Sequence, residues 1–365
     1  MFVVWHYFQP KFCILILEMV LYNNIFCYSD RVRGWNYLNL HCRDNENKPV
    51  EWWYIYKPPT DVAPYLELGR NFTYITSGNA GRWQPSDKYI TSNSMLQHTL
   101  SPIYRPTYVD YLAVAIYEDR KSSDAHGVLM ADEVGGVWIG HTVPGLINLD
   151  EDRHSFPDNE RANGHLLMCL SVDLIAINEI ASVLYTVAPK FTYVKTPKKM
   201  DGLLPRWNFA EPKKPGNLVT KKVNFLTSAD SLVVEIIARP PRSGDPLYDN
   251  FAASKNLVMD VYSPTSNRHQ TSVCNGRYSV RNIETISLKL KDSVLYVSNK
   301  TDRSKFAVST AAPWQELKVL PPQYWTCTSS LDKEEDDDKG GLITCVDDYN
   351  IWLTFDNLKI KEPEC

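Results

Sequence analysis

The sequence predicts a mixed α/β (α+β) protein built as two halves. Runs rich in Val, Ile, Tyr and Trp alternate with helix-spaced stretches on both sides of the chain's middle. Between them, Thr196–Gly216 holds four prolines, four lysines and one arginine with little periodicity, which marks a connector. The chain has 365 residues, 44% apolar and 12% aromatic, enough to bury a large core.

Residues 1–29 read as a signal peptide. Lys11 ends a short n-region, Phe12 to Leu17 begin an apolar stretch, and Cys27-Tyr28-Ser29 places small residues as a processing site requires. Glu18, Asn23 and Asn24 interrupt the stretch, so it falls short of the roughly 20 apolar residues of a membrane anchor. A secreted, extracellular protein without a membrane span is expected.

The N-terminal half, 30–195, opens with Trp35 to Cys42 and a polar turn from Arg43 to Lys48. Glu51 to Pro58 is aromatic and β-branched and reads as a strand. Its residues Trp52, Trp53, Tyr54 and Tyr56 suit a strand core better than a platform for stacking bases. Asp110 to Tyr117 predicts a second strand, followed by a polar loop from Glu118 to Ser123. Gly127 to Met130 and Val137 to Ile139 flank Gly135-Gly136, the sign of a tight hairpin. Leu166 to Val172 reads as a buried strand. Asp173 then caps a helix whose Leu174, Ile177, Ile180 and Leu184 recur at helical spacing.

After the 196–216 connector, the C-terminal half, 217–365, resumes with a strand from Ser231 to Ala238 and a short helix from Asp245 to Ser254. Leu257 to Tyr262 and Thr285 to Leu290 predict strands, and Trp352, Phe355 and Leu358 a final amphipathic helix. The run Lys333 to Lys339 is charged throughout and reads as a solvated loop tip. No residue-level repeat links the halves.

The net charge of −4 and a pI near 6.1 give no overall pull toward nucleic acid, although a local basic cleft is compatible with them. Cleavage after Ser29 removes Cys13 and Cys27 and leaves Cys42, Cys169, Cys274, Cys327, Cys345 and Cys365. An even number in a secreted chain is a disulfide framework, with the pairing open. No C-x-x-C, H-E-x-x-H, phosphate-loop or EF-hand signature is present, so neither a metal nor a cofactor is expected. Sequons at Asn71 and Asn299 suit a glycoprotein.

Four blocks of the chain resemble the DNase II family. Glu51-Trp52 through Tyr56-Lys57-x-Pro59 is similar to the family's Asp-Trp-x-x-x-Tyr-Lys-x-Pro. Gly127-Val128-Leu129, Asp132, Gly135-Gly136-Val137-Trp138 and His141-Thr142-Val143-Pro144 resemble the block after its first His-x-Lys motif. Leu247-Tyr248 resembles a family helix start, and Trp325-Thr326-Cys327 with Gly340 to Cys345 its last disulfide loop. The resemblance implies a phospholipase D-like fold, two similar α/β halves packed as a pseudo-dimer around a shared cleft. It also implies the pairs Cys42–Cys169, Cys274–Cys365 and Cys327–Cys345, and raises a homodimer.

In the family one imidazole attacks phosphorus, the other protonates the leaving oxygen, and the lysines neutralise the phosphoryl oxygens. At those positions this chain carries Asp124-x-His126 and Arg303-x-Lys305. A carboxylate at Asp124 repels a phosphodiester, and Arg303 is a permanent cation that delivers no proton. The expectation is a pseudoenzyme, similar to the secreted DNase II-like glycoproteins of parasitic nematodes, that binds a macromolecular partner such as a host protein. Arg303 and Lys305 are candidates for holding phosphate, in competition with a salt bridge to Asp302, and His141 is a candidate cleft residue. The alternative is a residual acid endonuclease using His126 or His141, with DNA as partner at acid pH. A two-residue shift along a strand displaces a side chain by roughly 6–7 Å, which counts against His126.

Overall fold

The computed structural model describes residues 40–105, 107, 110–207, 209, 219–229, 231–264, 271–274, 276–290, 293–310, 323–333, 338–360 and 363. The expected signal peptide, residues 334–337 of the charged loop and Cys365 lie outside them.

Two eight-stranded sheets dominate. Numbered along the chain, the first runs β10 (Lys190–Lys195), β6 (Ala113–Glu118), β7 (His126–Ala131), β8 (Gly135–His141), β9 (His165–Asp173), β3 (Trp52–Lys57), β4 (Thr73–Thr76), β5 (Gln84–Pro85). The second runs β11 (Lys221–Leu226), β12 (Val233–Arg239), β20 (Gly341–Asp347), β19 (Trp325–Ser329), β18 (Phe306–Thr310), β13 (Val258–Tyr262), β15 (Ser279–Ile283), β14 (Val273–Cys274). Small hairpins pair β1 (Cys42–Arg43) with β2 (Pro49–Val50) and β16 (Thr285–Lys289) with β17 (Val294–Ser298). Among the described residues the α-helices are α1 (Met95–Leu100), α2 (Leu174–Val187), α3 (Leu247–Lys255) and α4 (Tyr349–Asp356).

The halves repeat one topology. In space β6-β7-β8-β9-β3 corresponds to β13-β18-β19-β20-β12. In each half an antiparallel three-strand meander leads into a helix capped by an aspartate. Asp173 Oδ1 accepts from Ala176 N at 2.7 Å before α2, and Asp348 Oδ1 accepts from Ile351 N at 2.8 Å before α4. The two helices lie on the inner side. Ile177, Ile180 and Leu184 of α2 and Ile351 and Phe355 of α4 join one core with the inward residues of both sheets.

Both faces of the sheets are covered, which explains why the strands read as continuous apolar runs. In β3, Trp52, Tyr54 and Tyr56 point into the central core, while Trp53 and Ile55 pack on the outer side with α1. The four aromatics are buried core residues, at most 4% exposed. On the far side of the second sheet, α3 contributes Leu247, Tyr248, Phe251 and Ala252 to a third cluster.

The structure alters several expectations. The β7–β8 turn is made by Asp132, Glu133 and Val134, with Asp132 Oδ1 accepting from Val134 N and Gly135 N. Gly135-Gly136 are the first residues of β8, and Gly135 closes the turn, its carbonyl accepting from Asp132 N at 2.9 Å. Within 196–216, Met200, Leu204 and Trp207 are buried in the central core, so that stretch packs as well as connects. Lys333 is not at a solvated tip, since its Nζ donates to Thr271 O, Val280 O and Asn282.

Disulfides join Cys42 to Cys169 and Cys327 to Cys345. Cys274 is disulfide-bonded as well. Asn71 is half-buried, whereas Asn299 is 4% exposed and its Nδ2 donates to Ser263 O at 3.1 Å.

Candidate functional site

The same two-bond bridge occurs twice where the halves meet. In the segment leading into β7, Asp124 N donates to Gly340 O at 3.0 Å, and Gly340 N donates to Ser122 O at 2.9 Å. In the segment leading into β18, Arg303 N donates to Gly164 O at 3.0 Å, and Gly164 N donates to Thr301 O at 3.2 Å. Asp124 and Arg303 therefore occupy equivalent places in the repeat. Both partners are glycine because the approach leaves no room for a side chain. A Cβ on Gly164 would run into the Asp302 carboxylate, and one on Gly340 into Pro241 and the Val187 carbonyl.

This crossing sets Lys305 of the second half against Asp124 of the first. The ammonium donates to Asp124 Oδ2 at 3.2 Å and to the Ser330 carbonyl at 2.7 Å, and lies 3.1 Å from Asp332 Oδ1. Lys305 is 8% and Asp124 6% exposed. The cation that the resemblance assigns to a phosphate is held instead by two carboxylates and a carbonyl.

His126 begins β7, and its Nε2 lies 3.2 Å from Asp119 Oδ2 and 3.4 Å from Glu118 Oε2. Burial alone lowers its pKa, but the hydrogen bond and charge of Asp119, with Glu118 and Asp124, more than offset this and raise it above the usual imidazole value. Burial also raises the carboxyls of Glu118 and Asp119. Asp119 is oriented from behind by Ala125 N, which donates to its Oδ1 at 2.9 Å. Asp119, Asp124 and His126 each bring a ligand atom within 4.8 Å of the others.

His141 lies opposite His126 on β8, with ring centroids 5.8 Å apart. Its Nδ1 accepts from Val143 N at 3.3 Å, while its buried Nε2 has no hydrogen-bond partner. Burial, reinforced by His126, holds it neutral, well below the usual imidazole pKa. Both rings line a crevice with Trp138, Met168, Ser330 and Thr344. Its volume of about 30 Å³ is the room of one water molecule.

Arg303 turns elsewhere. Its side chain is 48% exposed and its Nη1 lies 3.5 Å from Glu160 Oε1, so of the two alternatives weighed for it the salt bridge to Asp302 does not form. Asp302 is buried and committed, accepting from Tyr56 OH at 2.7 Å, Tyr262 OH at 3.1 Å and Ser304 N at 2.8 Å. Glu160 also holds His165 Nε2 at 3.1 Å and Asn163 Nδ2 at 2.9 Å. Beneath them Lys57 Nζ donates to Arg161 O and Asn163 O, both at 2.6 Å, and burial lowers its pKa to about 8.

Of the residues singled out from sequence, Asp124, His126, His141 and Lys305 converge, and Arg303 joins a separate acid–histidine group. Glu118, Asp119, Asp332 and Glu160 were not singled out. Asp119, five residues before Asp124 in a polar loop, was the legible one. Asp332 and Glu160 reach the motifs only through the tertiary fold.

The deoxyribonuclease II family profile matches residues 41–365. Plancitoxin-1 of Acanthaster planci is 25% identical over 347 residues, 89% of this chain and 92% of that protein. Deoxyribonuclease-2-alpha of Sus scrofa is 25% identical over 349 residues, 89% and 90% of the two chains. Cell death-related nuclease 6 of Caenorhabditis elegans is 22% identical over 346 residues, 89% of each.

Proposed function

The chain belongs to the deoxyribonuclease II family, and from that premise we propose that it is a pseudoenzyme, a secreted glycoprotein that has lost phosphodiester hydrolysis and acts by binding a macromolecule. One observation carries the reading. Lys305, the motif residue that keeps its family identity, is closed into a buried ion pair with Asp124 and Asp332. A phosphate entering there displaces two carboxylates from their cation, and Glu118 and Asp119 add further negative charge beside it. Neither motif offers a histidine at the equivalent places Asp124 and Arg303. The disulfides suit an oxidising compartment, and no helix among the described residues is long and apolar enough to cross a membrane.

A second reading draws on the histidine pair. His126 is held charged by Asp119, and neutral His141 stands beside it, the division of roles of an acid and a base. A residual acid endonuclease would use that pair, with DNA as substrate.

Supercoiled plasmid incubated with the purified protein and a chelator, between about pH 4.5 and 7, separates the two. The pseudoenzyme leaves it supercoiled. Nicking that disappears in His126→Ala overturns the first reading and establishes the second.

A further inference from the structure

We propose that the cavity between β5, β16 and the end of α4 binds an amphiphilic anion, a small apolar body carrying one carboxylate, sulfate or phosphate. The cavity measures about 490 Å³, the size of a small-molecule site. It shares no lining residue with the crevice at His126 and His141. Its walls come from both halves, Arg82, Trp83 and Gln84 from the first and Ser287, Lys289 and Leu358 from the second.

The walls sort by chemistry. Trp83 and Leu358 are buried and form an apolar floor, with the Trp83 ring fixed against Phe355 and Tyr56 at centroid distances of 5.2 and 6.0 Å. Arg82 and Lys289 are exposed, one cation from each half. Among the described residues neither has an ion pair or a side-chain hydrogen bond, and no carboxylate lines the cavity. The end of α4 adds little negative pull, because its last carbonyls are occupied. Leu353 O accepts from Asn357 N, Phe355 O from Leu358 N and Asp356 O from Lys359 N, and the Lys359 ammonium lies 2.7 Å from Asp356 Oδ1. The unopposed charges at the cavity are therefore positive, which favours an anion.

An independent observation points to a ligand that accepts hydrogen bonds. Strand alternation sets Ser287 and Lys289 on one face of β16, opposite Ile286 and Leu288, which enter the core. Ser287 is 5% exposed, lines the cavity, and among the described residues its hydroxyl has no hydrogen-bond partner. A buried hydroxyl left unsatisfied is costly. An oxyanion bound beside Lys289 takes up that donor, while its apolar body covers Trp83 and Leu358. Gly81 N donates to Thr354 Oγ1 at 2.9 Å, which ties the chain before Arg82 to α4 and holds the second cation at the same cavity.

The site goes beyond the proposed loss of nuclease activity and stands whichever reading of that activity is right. It is tested by binding alone. The full chain is titrated at neutral pH with anilinonaphthalene sulfonate, an aromatic anion, and followed by fluorescence and calorimetry. One bound probe per chain is expected, displaced by decanoate or naphthoate and not by decanol or inorganic sulfate. Arg82→Gln and Lys289→Gln each weaken the probe by about 10-fold, the loss of one charge-assisted hydrogen bond. Both side chains are exposed and make no other bond among the described residues, so both variants keep the fold. Binding that does not saturate, or affinity unchanged in both variants, overturns the proposal. So does failure of both organic anions to displace the probe, or displacement by decanol or sulfate as readily as by decanoate.

Discussion

Lys305 and Arg303 stand two residues apart and experience opposite surroundings. The first is buried between Asp124 and Asp332, the second is 48% exposed against Glu160. Removing the buried partner strands two carboxylates, so Lys305→Met is expected to cost about 3 kcal/mol or more. Arg303→Ala is expected to cost less than about 1 kcal/mol, as exposed pairs do. Guanidinium denaturation of both variants checks the contrast. The sequons differ in the same way. Asn71 is half-buried, while Asn299 spends its amide on Ser263 O inside the fold. In protein from a glycosylating host, Asn71→Gln is expected to remove a glycan's mass and Asn299→Gln to leave the mass of the sugar unchanged. Mass spectrometry before and after deglycosylation decides it.

At the scale of the element, local signals were legible where one residue both chooses and ends a structure. Asp173 was read as an N-cap from its place before Leu174, Ile177, Ile180 and Leu184, and its carboxylate does accept from Ala176 N. Asp173→Ala is expected to cost about 1 kcal/mol, read from the denaturation midpoint. Because α2 lies in the core shared by both sheets, that loss falls on the whole molecule and not on a fraying end. The strands at Trp52–Lys57, His165–Asp173 and Val258–Tyr262 were legible from apolar content alone. The β7–β8 hairpin was legible from Gly135-Gly136, but its turn falls on Asp132 to Val134, because glycine is an equally good signal for a turn and for close packing inside a sheet. The 196–216 stretch looked like pure linker because Met200, Leu204 and Trp207 carry no period, and their burial follows from contacts distant in sequence.

For the whole molecule, acid is the natural perturbation. His154 is buried at 1% exposure, neither ring nitrogen has a hydrogen-bond partner, and burial lowers its pKa to about 4 against the small opposing pull of Glu151. The unfolded chain takes up that proton near pH 6.5, the folded chain only near pH 4. Between those values the unfolded state binds more protons, so stability falls as pH falls, by up to about 3 kcal/mol from this group. His154→Phe is expected to flatten the dependence of the denaturation midpoint across that window. An unchanged slope would assign the acid response to other groups.

The sequence by itself determined the family, the strand content and the capped helix. These depend on residue type and short spacing, which a linear reading preserves. Only the tertiary structure revealed the repeat, since the halves share topology without a shared residue pattern. It alone set Gly164 against Arg303, Gly340 against Asp124, and Lys305 between Asp124 and Asp332. The two glycine contacts and the Lys305–Asp124 pair join residues more than a hundred positions apart along the chain. Their meeting is decided by how two sheets close on a common core, and no local propensity encodes that.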